Sequence, residues 1–298
     1  MSDFGARVRP FLDPGAWRRR VRHPLSWMPD VPVEQARAFD QTWQAFSEAA
    51  TVVDGRHDNA RWHDRHCTFA ICCVRVPAEA IQPALDEARA ALSDIPFLRL
   101  HPNSFLHIPI QELGFLKPFP KQRDEINELR LDEFASVARI PVGEYTPFTV
   151  TLGPINSFQD APFLEVRDNG FLSRLHRRLL DVAVVPPNMR YAYLPHVTIG
   201  HYTEEAPIGA LREHLQPFRE VIFGSFTVTE LDIIAISTDQ AYPEPDILAR
   251  LPLATASTTT PFTNAPTAKL PEIPDTVVPL EPPGRNTLPD RASDSTPR

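Results

Sequence analysis

One eight-residue stretch and its upstream echo constrain this chain more than any other feature. Tyr193-Leu194-Pro195-His196-Val197-Thr198-Ile199-Gly200 alternates, with His196, Thr198 and Gly200 on one parity and Val197 and Ile199 on the other. Successive side chains of a strand point to opposite faces. Val197 and Ile199 are therefore expected to enter a core while the His196 imidazole and the Thr198 hydroxyl stand together on the open face. The layout repeats upstream in the stretch from Ser104 to Phe115. There Leu106, Ile108 and Ile110 form the apolar parity and His107, Pro109 and Gln111 the other. Two such strands predict two half-buried sheets, each offering one histidine. His66-Cys67-Thr68 also reads His-x-Thr, and it is given no catalytic role.

These two strands resemble the motifs of the 2H phosphoesterase superfamily, the group of 2′-5′ RNA ligase-like proteins and RNA 2′,3′-cyclic phosphodiesterases. That family carries two His-x-Thr/Ser-x strands, the first often followed by a Leu-Gly element, here Leu113-Gly114. His196-Val197-Thr198-Ile199 fits the second motif. His107-Ile108-Pro109-Ile110 fits the first except that Pro109 replaces the hydroxyl residue. The resemblance spans roughly residues 61 to 253. It implies an α+β fold of two pseudo-symmetric lobes, each an antiparallel sheet with helices on its outer face, and an active cleft between them. It also implies metal-independent chemistry without a cofactor, on a 2′,3′-cyclic phosphate or a 2′-5′ linkage of a nucleotide or RNA end. His107 and His196 are the expected acid and base, because an imidazole changes charge near neutral pH. Thr198 is the expected phosphate-holding hydroxyl. Proline has neither a hydroxyl nor a backbone N–H, so Pro109 removes one such group; Gln111 has the parity to replace it, and Ser104 and Asn103 are alternatives reaching from the preceding loop. Phe115, Tyr191 and Tyr193 are candidates for stacking on a base. Two other readings stay open: a member that binds RNA ends or nucleotides without turnover, and a two-lobed interaction protein in which the motifs are coincidental.

The remaining sequence sets the domain plan. Residues 1–32, rich in Arg and Pro, read as an irregular arm. Residues 33–254 read as the bilobal domain, opened by an amphipathic helix over 33–50 with Ala36, Phe39, Trp43, Phe46 and Ala50 on one stripe. Residues 255–298, dense in Pro, Thr and Ser, read as a disordered tail. Helices are also expected over 78–93, 123–139 (inner positions Ile126, Leu129, Phe134 and Val137), 171–184 and 207–216. Strands are expected over 68–76, 97–100, 148–152, 162–166 and in 221–237. Cys72 and Cys73 are expected to be core residues, and His176 and His201 surface ones. His57, His63, His66 and Cys67 match no standard metal-ligand spacing.

A formal charge of −8 argues against broad electrostatic nucleic-acid binding and leaves room for a phosphate held locally. The three cysteines form no disulfide framework, no run is apolar enough to span a bilayer, and no signal peptide is recognisable. The expectation is thus a cytoplasmic monomer. P-loop, dinucleotide-fingerprint and nucleophile-elbow motifs are absent from the sequence.

Overall fold

The computed structural model of this protein describes residues 31–56, 64–183 and 192–254. These all fall in one unit, Met1–Ser257; the second unit, Thr258–Arg298, lies outside the described residues. So do most of the expected arm, the expected tail, His57, His63 and Tyr191.

In chain order the elements are α1 (Val31–Glu48), β1 (Thr51–Val52), β2 (Thr68–Arg75), α2 (Gln82–Leu92), β3 (Leu98–Leu100), β4 (His107–Leu116), β5 (Glu125–Ile126), α3 (Glu128–Val142), β6 (Phe148–Ser157), β7 (Pro162–Arg167), α4 (Phe171–Leu180), β8 (His196–Thr198), β9 (Gly200–Tyr202), β10 (Ala206–Pro207), α5 (Ile208–Leu215), β11 (Gly224–Val228), β12 (Glu230–Ser237) and β13 (Asp246–Pro252). They build a five-stranded sheet in the order β13-β12-β2-β4-β5 and a four-stranded sheet in the order β11-β6-β7-β8. Two-stranded ribbons β1-β10 and β3-β9 complete the pairing. Within the two larger sheets every pair is antiparallel except β4–β5. The fold is therefore the expected α+β arrangement with one histidine strand in each sheet.

The alternation read from the sequence explains the burial. Ala70, Cys72 and Val74 of β2 and Ile108 of β4 join a main core with Leu131, Phe134, Ala138 and Val142 of α3. Leu164 and Val166 of β7 and Val197 of β8 meet Leu172, Leu175 and Leu179 of α4 in the same core. Cys73 and Ile71, of opposite parity, pack instead with Phe105, Ile234 and Ile236 in a second, smaller cluster. In both sheets the residues on the histidine parity lie opposite the face that α3 and α4 cover.

Helix α1 departs from that plan. It begins at Val31, with Pro32 in its first turn, where a missing N–H costs least. Its buried residues are Val31, Gln35, Phe39 and Phe46, whereas Ala36 and Ala50 are exposed. Rather than lying outside, it packs on the inner face of the four-stranded sheet. Phe39 stands 6.3 Å from Phe163 of β7, and its carbonyl accepts from Asn156 Nδ2 at 2.9 Å. Gln35 Nε2 donates to the Val166 carbonyl at 2.7 Å.

The expected phase of α3 is also corrected. Asn127 caps it, accepting from the Arg130 N–H, and Ile126 belongs to β5. The buried row is then Leu131, Phe134, Ala138 and Val142, while Leu129 and Val137 face solvent. Strand β6 runs on to Ser157, five residues past its expected end. Strand β13, not anticipated, pairs along β12 from Glu230↔Pro252 to Ala235↔Asp246.

Candidate active site

Both motif histidines are tethered in the same way. His107 Nδ1 lies 2.7 Å from the Phe105 carbonyl, and His196 Nδ1 lies 2.7 Å from the Leu194 carbonyl. A carbonyl only accepts, so each Nδ1 carries the proton and donates it to the residue two positions back. In each neutral ring Nε2 is consequently left with its lone pair. Both rings are half-buried. Burial lowers the pKa of His107; the Phe105 hydrogen bond opposes this and the positive charge of Arg75 adds to it. Burial likewise pushes His196 down to about 4, against its Leu194 hydrogen bond, and the charge of His107 lowers it further. The two imidazoles thus lie within electrostatic reach of one another although they belong to different sheets.

The surroundings hold them there. Phe158 and Phe163 meet the His196 ring edge-on at 5.1 and 5.5 Å. Behind His107, Phe105 stands edge-on at 5.6 Å and is itself met by His101 at 5.0 Å. His201, expected at the surface, is buried, with Nδ1 3.0 Å from His101 Nε2. The β3–β9 ribbon brings these two together, which a linear reading does not reveal. His176, the other expected surface histidine, is half-buried, and its Nδ1–H donates to the Ile110 carbonyl at 2.6 Å. It ties α4 to β4.

The expected ligand-binding residues fare differently. Thr198 lies on the His196 face, since His196 and Thr198 pair with Glu165 and Phe163 of β7. Gln111 does not take the place of the missing hydroxyl. Cys73 pairs with Pro109 but Cys72 with Gln111, so Ile110 is an extra residue in β4. That bulge turns Gln111 away from the His107 row, and it is buried, with Nε2 donating to the Glu112 carbonyl. Phe115 is returned to the His107 side by a second bulge at Leu113, where Gly114 adopts φ 105°. Its ring is 9 % exposed, beneath the Arg65 guanidinium at 4.3 Å and against Phe69 at 4.9 Å, which leaves little room for a base. Tyr193 donates its hydroxyl to the Pro109 carbonyl at 3.1 Å and stacks on His176 at 4.1 Å. It joins the two motif segments instead of presenting a free ring.

Three features escaped the sequence reading. Arg75 pairs directly with His107 across β2–β4 and is exposed. Glu112, opposite Ile71, is moved by the first bulge onto that same side; its carboxyl is raised by burial although it reaches solvent. Glu165, opposite His196, is 2 % exposed. It accepts from Asn156 Nδ2 and from Arg219, each at 2.9 Å. Arg219 also lies 4.5 Å over Trp43 of α1. The end of the expected β2 strand was the only sequence signal for Arg75; the others depend on register. Among the described residues, no group of three or more His, Cys, Asp or Glu side chains is gathered as a metal ion would need. No described helix is long and apolar enough to cross a membrane.

Comparison with known proteins adds three findings. Residues 76–240 match the family model described as the 2′-5′ RNA ligase superfamily. A search of curated proteins returned no match. Among solved structures, similar chains include Escherichia coli LigT complexed with NADP+ (19 % identity, 63 % of this chain and 99 % of that one, TM-score 0.47). LigT complexed with phosphate gives 20 % identity over 64 % of this chain and 99 % of that one, TM-score 0.46. TT0787 of Thermus thermophilus gives 18 %, 62 % and 97 %, TM-score 0.43.

Proposed function

Since the chain belongs to the 2′-5′ RNA ligase superfamily, matched over more than half its length, we propose that it is a metal-independent phosphodiesterase that opens 2′,3′-cyclic phosphates on nucleotides or RNA ends. The observation that carries this reading is the matched tethering of His107 and His196, each with Nδ1–H on a carbonyl and Nε2 left to act.

In the proposed reaction one neutral imidazole takes a proton from water through Nε2 as the water oxygen bonds to phosphorus. The bond from phosphorus to one ribose oxygen breaks. The other imidazole, protonated, gives its proton to that oxygen as it leaves. The product is a phosphate monoester with a free neighbouring hydroxyl, and solvent exchange resets both rings. Burial favours the neutral form of both rings in the free protein. A phosphodiester anion arriving between them favours the charged form and supplies the acid. Thr198 donates to a non-bridging oxygen as charge builds.

The test is hydrolysis of 2′,3′-cyclic nucleotides and cyclic-phosphate-ended RNA by the purified chain with EDTA present. Turnover abolished by His196→Ala supports the proposal. Inactivity on every substrate, or activity indifferent to His196→Ala, overturns it. Pro109 favours a second reading, a member that holds the same ligands without chemistry. Retained nucleotide affinity, no turnover, and no gain on Pro109→Thr select that reading.

A further inference from the structure

The first lobe lacks the hydroxyl that Thr198 provides in the second, and the bulge at Ile110 removes Gln111 as its substitute. We propose that Arg75 is the phosphate-holding residue of the first lobe, its guanidinium taking the non-bridging oxygens that a hydroxyl at position 109 would otherwise hold. This rests on the phosphodiesterase reading given above, and it adds a catalytic residue that neither motif contains.

Four observations converge on Arg75. It is the residue directly opposite His107 in the antiparallel β2–β4 pair, and side chains so paired share a face with Cβ atoms about 5 Å apart. The next pair in the same row is Cys73↔Pro109, so Arg75 is a diagonal neighbour of the proline, within about 7–8 Å. Its side chain is exposed, and its charge is felt at the His107 ring. It closes β2 without an ion pair or side-chain hydrogen bond among the described residues, although the chain as a whole is acidic. The neighbouring carboxylate in its row, Asp232, faces Arg250 at 3.8 Å and also feels the charge of Arg75. A guanidinium without a hydrogen bond or ion pair among the described residues, beside a general acid–base residue, has the planar fork that matches two phosphate oxygens. A phosphate seated on it also separates two positive groups that otherwise repel, Arg75 and a protonated His107.

The experiment measures kcat/KM on a 2′,3′-cyclic nucleotide for the full chain, Arg75→Met, Arg75→Lys, Pro109→Thr and the double variant Arg75→Met/Pro109→Thr. Alongside, the histidine side-chain NMR signals are followed during titration with inorganic phosphate. Arg75→Met is expected to lower kcat/KM by ~10²-fold, the size of a lost oxyanion donor. Arg75→Lys, a point charge without the fork, is expected to lose about tenfold. Restoring a hydroxyl at position 109 is expected to recover more activity in the Arg75→Met background than in the wild type, which separates a phosphate-holding role from a structural one. Phosphate is expected to shift the His107 signals in the wild type and not in Arg75→Met. If the wild type turns over nothing yet binds phosphate through Arg75, the phosphodiesterase reading fails and the assignment of Arg75 stands. Phosphate shifts that are the same in wild type and Arg75→Met, or kcat/KM within twofold between them, overturn it. An unchanged thermal melt of Arg75→Met excludes misfolding as the cause.

Discussion

Protonation of His196 provides the sharpest energetic prediction. In the unfolded chain its imidazole titrates near the reference value of 6.5, and in the folded protein burial holds it down to about 4. Between those two values the unfolded chain binds more protons, so folding stability falls as pH drops from about 6.5 towards about 4. The full gap of about 2.5 units, at 1.36 kcal/mol per unit, amounts to roughly 3 kcal/mol. Between pH 7 and pH 5 the same linkage gives a loss of about 2 kcal/mol. The perturbation is His196→Asn, which keeps an N–H for the Leu194 carbonyl and removes the titration. Urea unfolding of wild type and variant at pH 7 and pH 5 isolates the effect, because every other titrating group is common to both. The wild type should lose about 2 kcal/mol more than the variant on going to pH 5. Parallel losses would mean that His196 titrates as an ordinary solvated imidazole, and the desolvated site would be refuted.

Other perturbations test the scaffold around the site. His107→Asn should flatten the acid limb of stability in the same direction, since the folded His107 pKa is also lowered; urea midpoints across pH 5–7 check it. Arg219→Met leaves the Glu165 carboxylate, 2 % exposed, with the exposed Arg167 at 3.3 Å as its remaining guanidinium and should cost about 2–3 kcal/mol in urea unfolding, less than a fully unpaired buried charge. Pairing that change with Glu165→Gln should recover much of the loss. Phe39→Ala should cost about 3–5 kcal/mol, measured by thermal or urea unfolding, because the ring seats α1 on the inner face of the four-stranded sheet. Tyr193→Phe removes the hydroxyl that reaches the Pro109 carbonyl and should cost about 1 kcal/mol of stability.

The motif strands were legible because alternation is a local property. Val197 is buried and His196 half-buried, as their parity requires. What a single strand does not encode is its partner's register. The extra residue at Ile110 turns Gln111 into the protein and Glu112 outward, and only the pairing with β2 makes that visible. Arg75 was part of an expected strand, yet its position opposite His107 is a fact about two strands 32 residues apart. The phase of α3 is not legible in the sequence because Asn127, which falls inside the expected 123–139 helix, is its cap. The stripe on α1 was legible at Phe39 and Phe46. Its destination against Phe163 of β7 was not, because periodicity says that a face is buried and never against what. His176 and His201 look like solvated imidazoles in sequence; the first is half-buried by the meeting of α4 with β4 and the second buried by the β3–β9 ribbon.

The most direct test of the account is a catalytic double-mutant cycle on His107 and His196. Single-turnover hydrolysis of a 2′,3′-cyclic nucleotide is measured for wild type, His107→Ala, His196→Ala and the double variant. Groups that act as one unit are strongly non-additive. Each single variant should therefore fall to nearly the same floor as the double. Losses that multiply independently, or a single variant that keeps most of the rate, would contradict the two-histidine site.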